Sequence, residues 1–153
     1  GDEMMRSSKF KKNITKVLGV SILTSMDSVQ IKKYYNQNDI SKLVKKFTTA
    51  AKENKLDGVV CSPNEIKYIR KQVGKDFIIV TPGIRFDNKI KRDDQKRVAT
   101  PKKAIEMGAN YLVIGRPITE SKNPSTSTTG SDQSIKSSLK TKSLEHFGFL
   151  YFK

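Results

Sequence analysis

Arginines stand at positions 85 and 116, each after an apolar run and a glycine. Phe77-Ile78-Ile79-Val80-Thr81 leads into Pro82-Gly83-Ile84-Arg85, and Tyr111-Leu112-Val113-Ile114 leads into Gly115-Arg116-Pro117. Between them lies a polar stretch with Asp94-Gln95-Lys96-Arg97. These residue types suit a phosphate group. A guanidinium presents a planar fork of donors to phosphate oxygens. A glycine lets backbone N–H groups come close to an anion, and the Gln95 amide can cap the same oxygens. One Gly-Arg pair after a strand is equally what a turn with a surface cation gives. Two of them, flanking a helix-linked pair of strands, favour a phosphate site at the carboxyl end of a parallel sheet.

The elements that would position these groups alternate along the chain. Val17 to Leu23 is a near-continuous apolar run of the kind buried in parallel sheets. Asp27 or Ser28 can cap a short helix through Tyr34. Asp39 caps a longer one, in which Ile40, Leu43, Val44, Phe47, Ala50 and Ala51 recur at helical spacing with lysines opposite. Asp57 to Cys61 is the second strand. Ser62-Pro63-Asn64-Glu65 is a capping box with proline at its first helical position, Ile66, Ile69 and Val73 line the helix, and Gly74 is its left-handed stop. Phe77 to Thr81 is the third strand, followed by a loop over residues 82–99. Thr100 caps a helix that starts at Pro101 and closes at Gly108, and Tyr111 to Ile114 is the fourth strand. This β-α-β-α-β-α-β order predicts an α/β chain with four parallel strands and helices outside. Four strands suit a small open sheet or half of a closed barrel. Residues 1–16 read as the outer part of a helix entering the first strand. Residues 125–153 form a second region. It is a Ser/Thr-rich tail expected to be disordered, with a weak helix near Ile135 and Leu139. The aromatic end Phe147 to Phe152 is an edge strand or a sticky tail.

Composition narrows the function classes. Among 153 residues, 30 Lys and Arg stand against 15 acids, a formal net charge of +15. That balance suits a polyanion, yet the lysines are scattered and no aromatic-interleaved basic patch or recognition motif accompanies them, which disfavours nucleic-acid binding. Cys61 is the only cysteine, so no internal disulfide can form and a reducing cytoplasm is the expected compartment. It reads as a small buried hydrophobe rather than a nucleophile. With His146 the only histidine, a zinc site or a Ser-His-Asp triad is disfavoured. No run has the length and hydropathy of a membrane span or signal peptide. The chain starts at Gly1 and is expected to be a fragment or a processed product.

The ordered set Leu23-Thr24-Ser25-Met26, Asp57-Gly58-Val59-Val60-Cys61-Ser62, Val80-Thr81-Pro82-Gly83-Ile84-Arg85, Asp94-Gln95-Lys96-Arg97, Thr100-Pro101 and Leu112-Val113-Ile114-Gly115-Arg116-Pro117-Ile118-Thr119 closely resembles bacterial orotidine 5′-phosphate decarboxylase. The resemblance covers residues 1–124, with Gly1 to Met5 similar to the segment just after that barrel's fourth strand. It implies the C-terminal half of a (β/α)₈ TIM barrel, strands five to eight. It also implies a carboxy-lyase of pyrimidine biosynthesis that releases CO₂ from orotidine 5′-phosphate to give UMP, with no cofactor and no metal. By matching motif, Thr24 would lie near the pyrimidine, with Ser25 not assigned to the site, Pro82 would wall the site, and Arg85, Gln95, Gly115 and Arg116 would hold the phosphate.

The chain departs from the family where the chemistry is done. In the family, an alternating Lys/Asp array with an Asp-x-Lys-x-x-Asp motif near strand three presses carboxylates on the substrate and supplies the proton-donating lysine. That part precedes the region matched here. The nearest echo, Lys91-x-x-Asp94, sits in the phosphate loop and takes no such role, so no catalytic residue is assigned. The expectation is a chain that binds orotidine 5′-phosphate or UMP but is inactive alone. The alternatives are a non-enzymatic phosphate-ligand module and, behind it, a basic nucleic-acid binder. A half-barrel leaves open edges at Val17–Leu23 and Tyr111–Ile114, and turns Ile22, Val60, Ile79 or their neighbours toward water. The expected protein partner is therefore a second copy of the chain or the missing N-terminal half.

Overall fold

The computed structural model describes residues 15–85 and 97–121 and the strand at 148–150. Strands β1 (Leu18–Val20), β2 (Gly58–Val60), β3 (Ile78–Thr81) and β4 (Tyr111–Val113) run parallel and adjacent in chain order. Leu18 pairs with Gly58, Gly58 with Ile78, and Val80 with Tyr111. Parallel neighbours need a crossover, and helices supply each one. These are α1 (Ser28–Tyr35) and α2 (Ile40–Glu53), then α3 (Ile66–Val73), then α4 (Pro101–Met107), with a last short helix α5 (Arg116–Thr119) after β4. Only α5 has no counterpart in the sequence reading. It spans four residues, too few to show a periodicity.

Local chemistry sets the boundaries. At α1 the cap is Asp27, whose carboxylate accepts from the Gln30 amide at 2.9 Å while Gln30 Oε1 accepts from the Asp27 amide at 3.0 Å. Asp39 caps α2 through the Lys42 amide, and Thr100 caps α4 through the Lys103 amide. The capping box at Ser62 opens a single 3₁₀ turn, Pro63–Glu65, which runs into α3. Gly74 does end α3 with a positive φ, but at φ 83° and ψ −170° it is extended rather than left-handed helical. A side chain at Gly58 would place its Cβ 2.2 Å from the Ile78 carbonyl oxygen, so β2 and β3 approach this closely only with glycine there.

The core lies between sheet and helices. Val59, Ile79 and Leu112 alternate onto the helix side and meet Leu43, Val44, Ile66 and Ile69. Each fully buried aliphatic side chain contributes about 1.5–3 kcal/mol. This corrects the expected water-facing set. Ile79 is fully buried by strand alternation, and Ile22 is buried because the chain bends there into the core. On the opposite face lies the row Val20, Val60 and Val80. Val20 is 63% exposed, Val60 half-buried and Val80 buried. A groove of about 230 Å³, lined by Val20, Phe47, Ala51 and Leu56 among others, opens beside β1.

The second edge also differs from expectation. Strand β5 (Gly148–Leu150) pairs parallel with β4, Tyr111 opposite Gly148 and Val113 opposite Leu150. Of the two alternatives for the aromatic end, the edge strand is the one formed, because β4 offers unpaired backbone groups that an extended segment can satisfy. Among the described residues the edge strands are therefore β1 and β5. Most of the expected N-terminal helical run-in, the Ser/Thr stretch and the weak helix near Ile135 and Leu139 fall outside the described residues.

Arg70 pins the amino ends of β3 and β4. Its guanidinium donates to the carbonyls of Gly74 (2.6 Å), Phe77 (2.7 Å) and Gly108 (2.6 Å), and to Asn110 Oδ1 (2.6 Å), which also accepts from the Ile79 amide. A planar five-donor fork reaches all of these at once, and an ammonium does not. Arg70→Met should lower stability by about 2 kcal/mol in urea denaturation, and Arg70→Lys should recover little of it. An unchanged midpoint would show that water replaces the guanidinium at no cost.

Candidate functional site

The carboxyl ends of parallel strands all lie along one edge of the sheet, and the described residues among those singled out from the sequence follow those ends. After β1 the chain makes a tight turn, closed by the Met26 amide donating to the Leu23 carbonyl at 3.0 Å. The half-buried Thr24 and the exposed Ser25 occupy the turn. Half-buried Pro82 follows β3 directly. Arg85 is 5% exposed, its Nη1 donating to the Ile84 carbonyl at 2.8 Å. After β4, Gly115 has open space where a Cβ would stand, and Arg116 begins α5 on the exposed side. Gln95 lies outside the described residues.

The loop that follows Arg85 is closed at its base. Ile84 bridges Ala99, the Arg85 amide donates to the Ala99 carbonyl at 3.0 Å, and the Ala99 amide donates to the Gly83 carbonyl at 3.2 Å. Residues 83–85 on the outgoing limb and Ala99 on the returning limb are therefore tied by a single parallel bridge. The outgoing limb carries Arg85 and the returning limb carries Arg97.

Arg97 and Glu65 are site residues that sequence reasoning did not single out. Both are buried, at 8% and 2% exposure, and Arg97 Nη1 donates to Glu65 Oε1 at 2.5 Å. The other carboxylate oxygen, Glu65 Oε2, accepts from the Ser62 amide at 2.7 Å. Arg97 Nη2 donates to the Leu23 carbonyl at 2.5 Å and reaches the Met26 carbonyl at 3.4 Å. The loops after β1, β2 and β3 are thus joined by one ion pair and its hydrogen bonds. From the sequence, Glu65 was explained completely as the acidic member of a capping box, and Arg97 was one more cation in a basic chain. Charges buried on these terms need one another, since removing one partner strands the other.

Other candidate groups have quieter roles. Cys61 is 1% exposed at the end of β2. Burial pushes its thiol pKa well up, and the nearby Glu65 carboxylate pushes in the same direction. The thiol therefore stays protonated through the neutral range and is a poor nucleophile. Among the described residues, no three His, Cys, Asp or Glu side chains are grouped to hold a metal ion. Among the same residues, no helix is long and apolar enough to cross a membrane.

Parallel strands joined by helical crossovers make this an α/β chain, and the solved structures it resembles are TIM barrels. The model of the orotidine 5′-phosphate decarboxylase / HUMPS family matches residues 1–129, and the chain belongs to that family. It is 49% identical over 125 residues to the orotidine 5′-phosphate decarboxylase of Aquifex aeolicus, covering 81% of this chain and 54% of that protein. It is 46% identical over 120 residues to the Coxiella burnetii enzyme of the same name, covering 78% and 50%. The crystal structure of orotidine 5′-phosphate decarboxylase from Lactobacillus acidophilus superposes with a TM-score of 0.66 at 33% identity, covering 84% of this chain and 51% of that one. The chain spans about half the length of the curated relatives it matches.

The Cys61 environment is directly testable. A disulfide reagent at pH 8 should leave the folded chain unmodified and should react fully once urea unfolds it. Rapid labelling without urea would show that the end of β2 opens in solution.

Proposed function

We propose that this chain is the phosphate- and pyrimidine-binding half of an orotidine 5′-phosphate decarboxylase, binding orotidine 5′-phosphate or UMP in the cytoplasm. The observation that carries the reading is the convergence of Thr24, Pro82, Arg85, Gly115 and Arg116 on one edge of a sheet built from family sequence. In this reading Arg85, Gly115 and Arg116, with Gln95, grip the phosphate, and Thr24 and Pro82 line the pyrimidine. The chain carries no Asp-x-Lys-x-x-Asp run. The carbanion left by decarboxylation therefore has no positioned proton donor from this chain. Binding energy at the remote phosphate serves catalysis only when those groups are present to use it.

The purified chain should bind UMP weakly and turn over no orotidine 5′-phosphate. Each charge-assisted contact is worth roughly 1.5–3 kcal/mol, so Arg116→Ala should weaken UMP at least about tenfold in a calorimetric titration. Equal affinity in the two proteins would remove the site from this edge. Turnover by the chain alone, abolished by Arg116→Ala, would contradict the inactive-half reading. Binding of nucleic acid that collapses with salt, in place of UMP, would favour the polyanion reading.

The open β1 edge bears on partners. Val17, Val20 and Leu23 are 55%, 63% and 58% exposed beside the groove under β1. An exposed parallel edge with apolar side chains pairs with another strand, supplied either by a second copy or by an N-terminal half. Sedimentation at several concentrations should show self-association of the isolated chain. A concentration-independent 17.3 kDa species without affinity for a hydrophobic dye would contradict this.

A further inference from the structure

Arg97 bonds to two carbonyls, those of Leu23 and Met26, and these bracket Thr24 and Ser25. Its position in sequence is remote from them, 74 residues from Leu23. Its own backbone lies on the limb whose Ala99 is paired with Ile84 and bonded to the Arg85 amide. Glu65 holds the guanidinium from the third side, itself anchored by the Ser62 amide. A charge this deeply buried, beside a turn closed by the Met26 amide donating to the Leu23 carbonyl, does more than neutralise a carboxylate. Two neutral carbonyls accept from its Nη2, and both belong to the turn.

We propose that Arg97 is a positioning residue. Its guanidinium, oriented by Glu65, fixes the Leu23–Met26 turn relative to Arg85, and so sets the distance between the pyrimidine end and the phosphate end of the ligand. This rests on the ligand reading given above and adds to it a residue that need not touch the ligand. Through Arg97, the Thr24 turn and the Arg85 limb move as one body. Without it, the bond that remains to the turn's backbone among the described residues is that from the Met26 amide to the Leu23 carbonyl. A nucleotide spans both ends and needs the fixed spacing. Inorganic phosphate occupies one end and does not.

The test compares the wild-type chain, Arg97→Lys, and the double variant Glu65→Gln with Arg97→Met. The double variant leaves no unpaired buried charge. The amide introduced by Glu65→Gln still accepts from Ser62, so the fold is retained while the turn is released. Two readouts are taken: amide hydrogen exchange, and dissociation constants for UMP and for inorganic phosphate. In the double variant the Met26 amide should exchange about tenfold faster, while the Cys61 amide, bonded to the Val80 carbonyl, keeps its protection. UMP should weaken about tenfold with inorganic phosphate nearly unchanged, and Arg97→Lys should fall between. Unchanged Met26 exchange in the double variant would overturn the proposal. So would equal losses for UMP and phosphate, the mark of a general structural role. Failure of the wild-type chain to bind either ligand would overturn the ligand reading instead, and exchange at Met26 would still decide whether Arg97 holds the turn.

Discussion

Parallel strands cannot be joined by a tight turn, and the rest of this structure depends on that constraint. Each crossover must climb back along the sheet, so each strand starts at one rim and ends at the other. Residues that leave strands at Thr24, Pro82 and Gly115 are far apart in sequence, yet they emerge along a single edge. The same constraint buries the helix-facing side of the sheet, which is why Val59, Ile79 and Leu112 lie in one apolar layer. It leaves the opposite side to be covered by whatever closes the sheet.

Two arginines divide the work of holding the rims. At the amino rim Arg70 gathers backbone carbonyls from the turns that enter β3 and β4, and burial lowers its pKa while the charge of Asp76 pulls weakly the other way. At the carboxyl rim Arg97 gathers the loops that leave β1 and β2, and there a buried carboxylate is present. The contrast has a physical basis. Arg70 is half-buried and solvent shares its charge, whereas Arg97 is 8% exposed and needs a counter-charge. The carboxyl rim, where the proposed site lies, is thus tied through a buried ion pair, and the amino rim through backbone carbonyls and the Asn110 amide oxygen.

Much of this was readable from residue order. The strands at Gly58, Ile78 and Tyr111 and the caps at Asp39 and Thr100 follow from apolar runs bounded by capping residues, because those signals are local. The family was readable from six short motifs in sequence order. Pairings between distant residues were not. Glu65 and Arg97 are 32 residues apart, and nothing in either neighbourhood names the other. Gly74 looked like a left-handed stop because glycine at a helix end usually is one, while the chain here leaves in an extended direction toward Arg70's carbonyl partners. The sides taken by Ile22 and Ile79 were misjudged because a run of consecutive apolar residues carries no alternation from which to read a face.

The parallel pairing of β4 with β5 has a consequence for the order in which contacts form. Three residue pairs must hold together across a connection that begins after Val113 and ends at Gly148. The entropy of closing so long a span rises only with the logarithm of its length. Inserting or deleting residues between these strands therefore changes the closure term little. The β1–β2 connection, from Val20 to Gly58, is of similar length, so both outer pairings close over comparable spans and neither is set by the length of its connection.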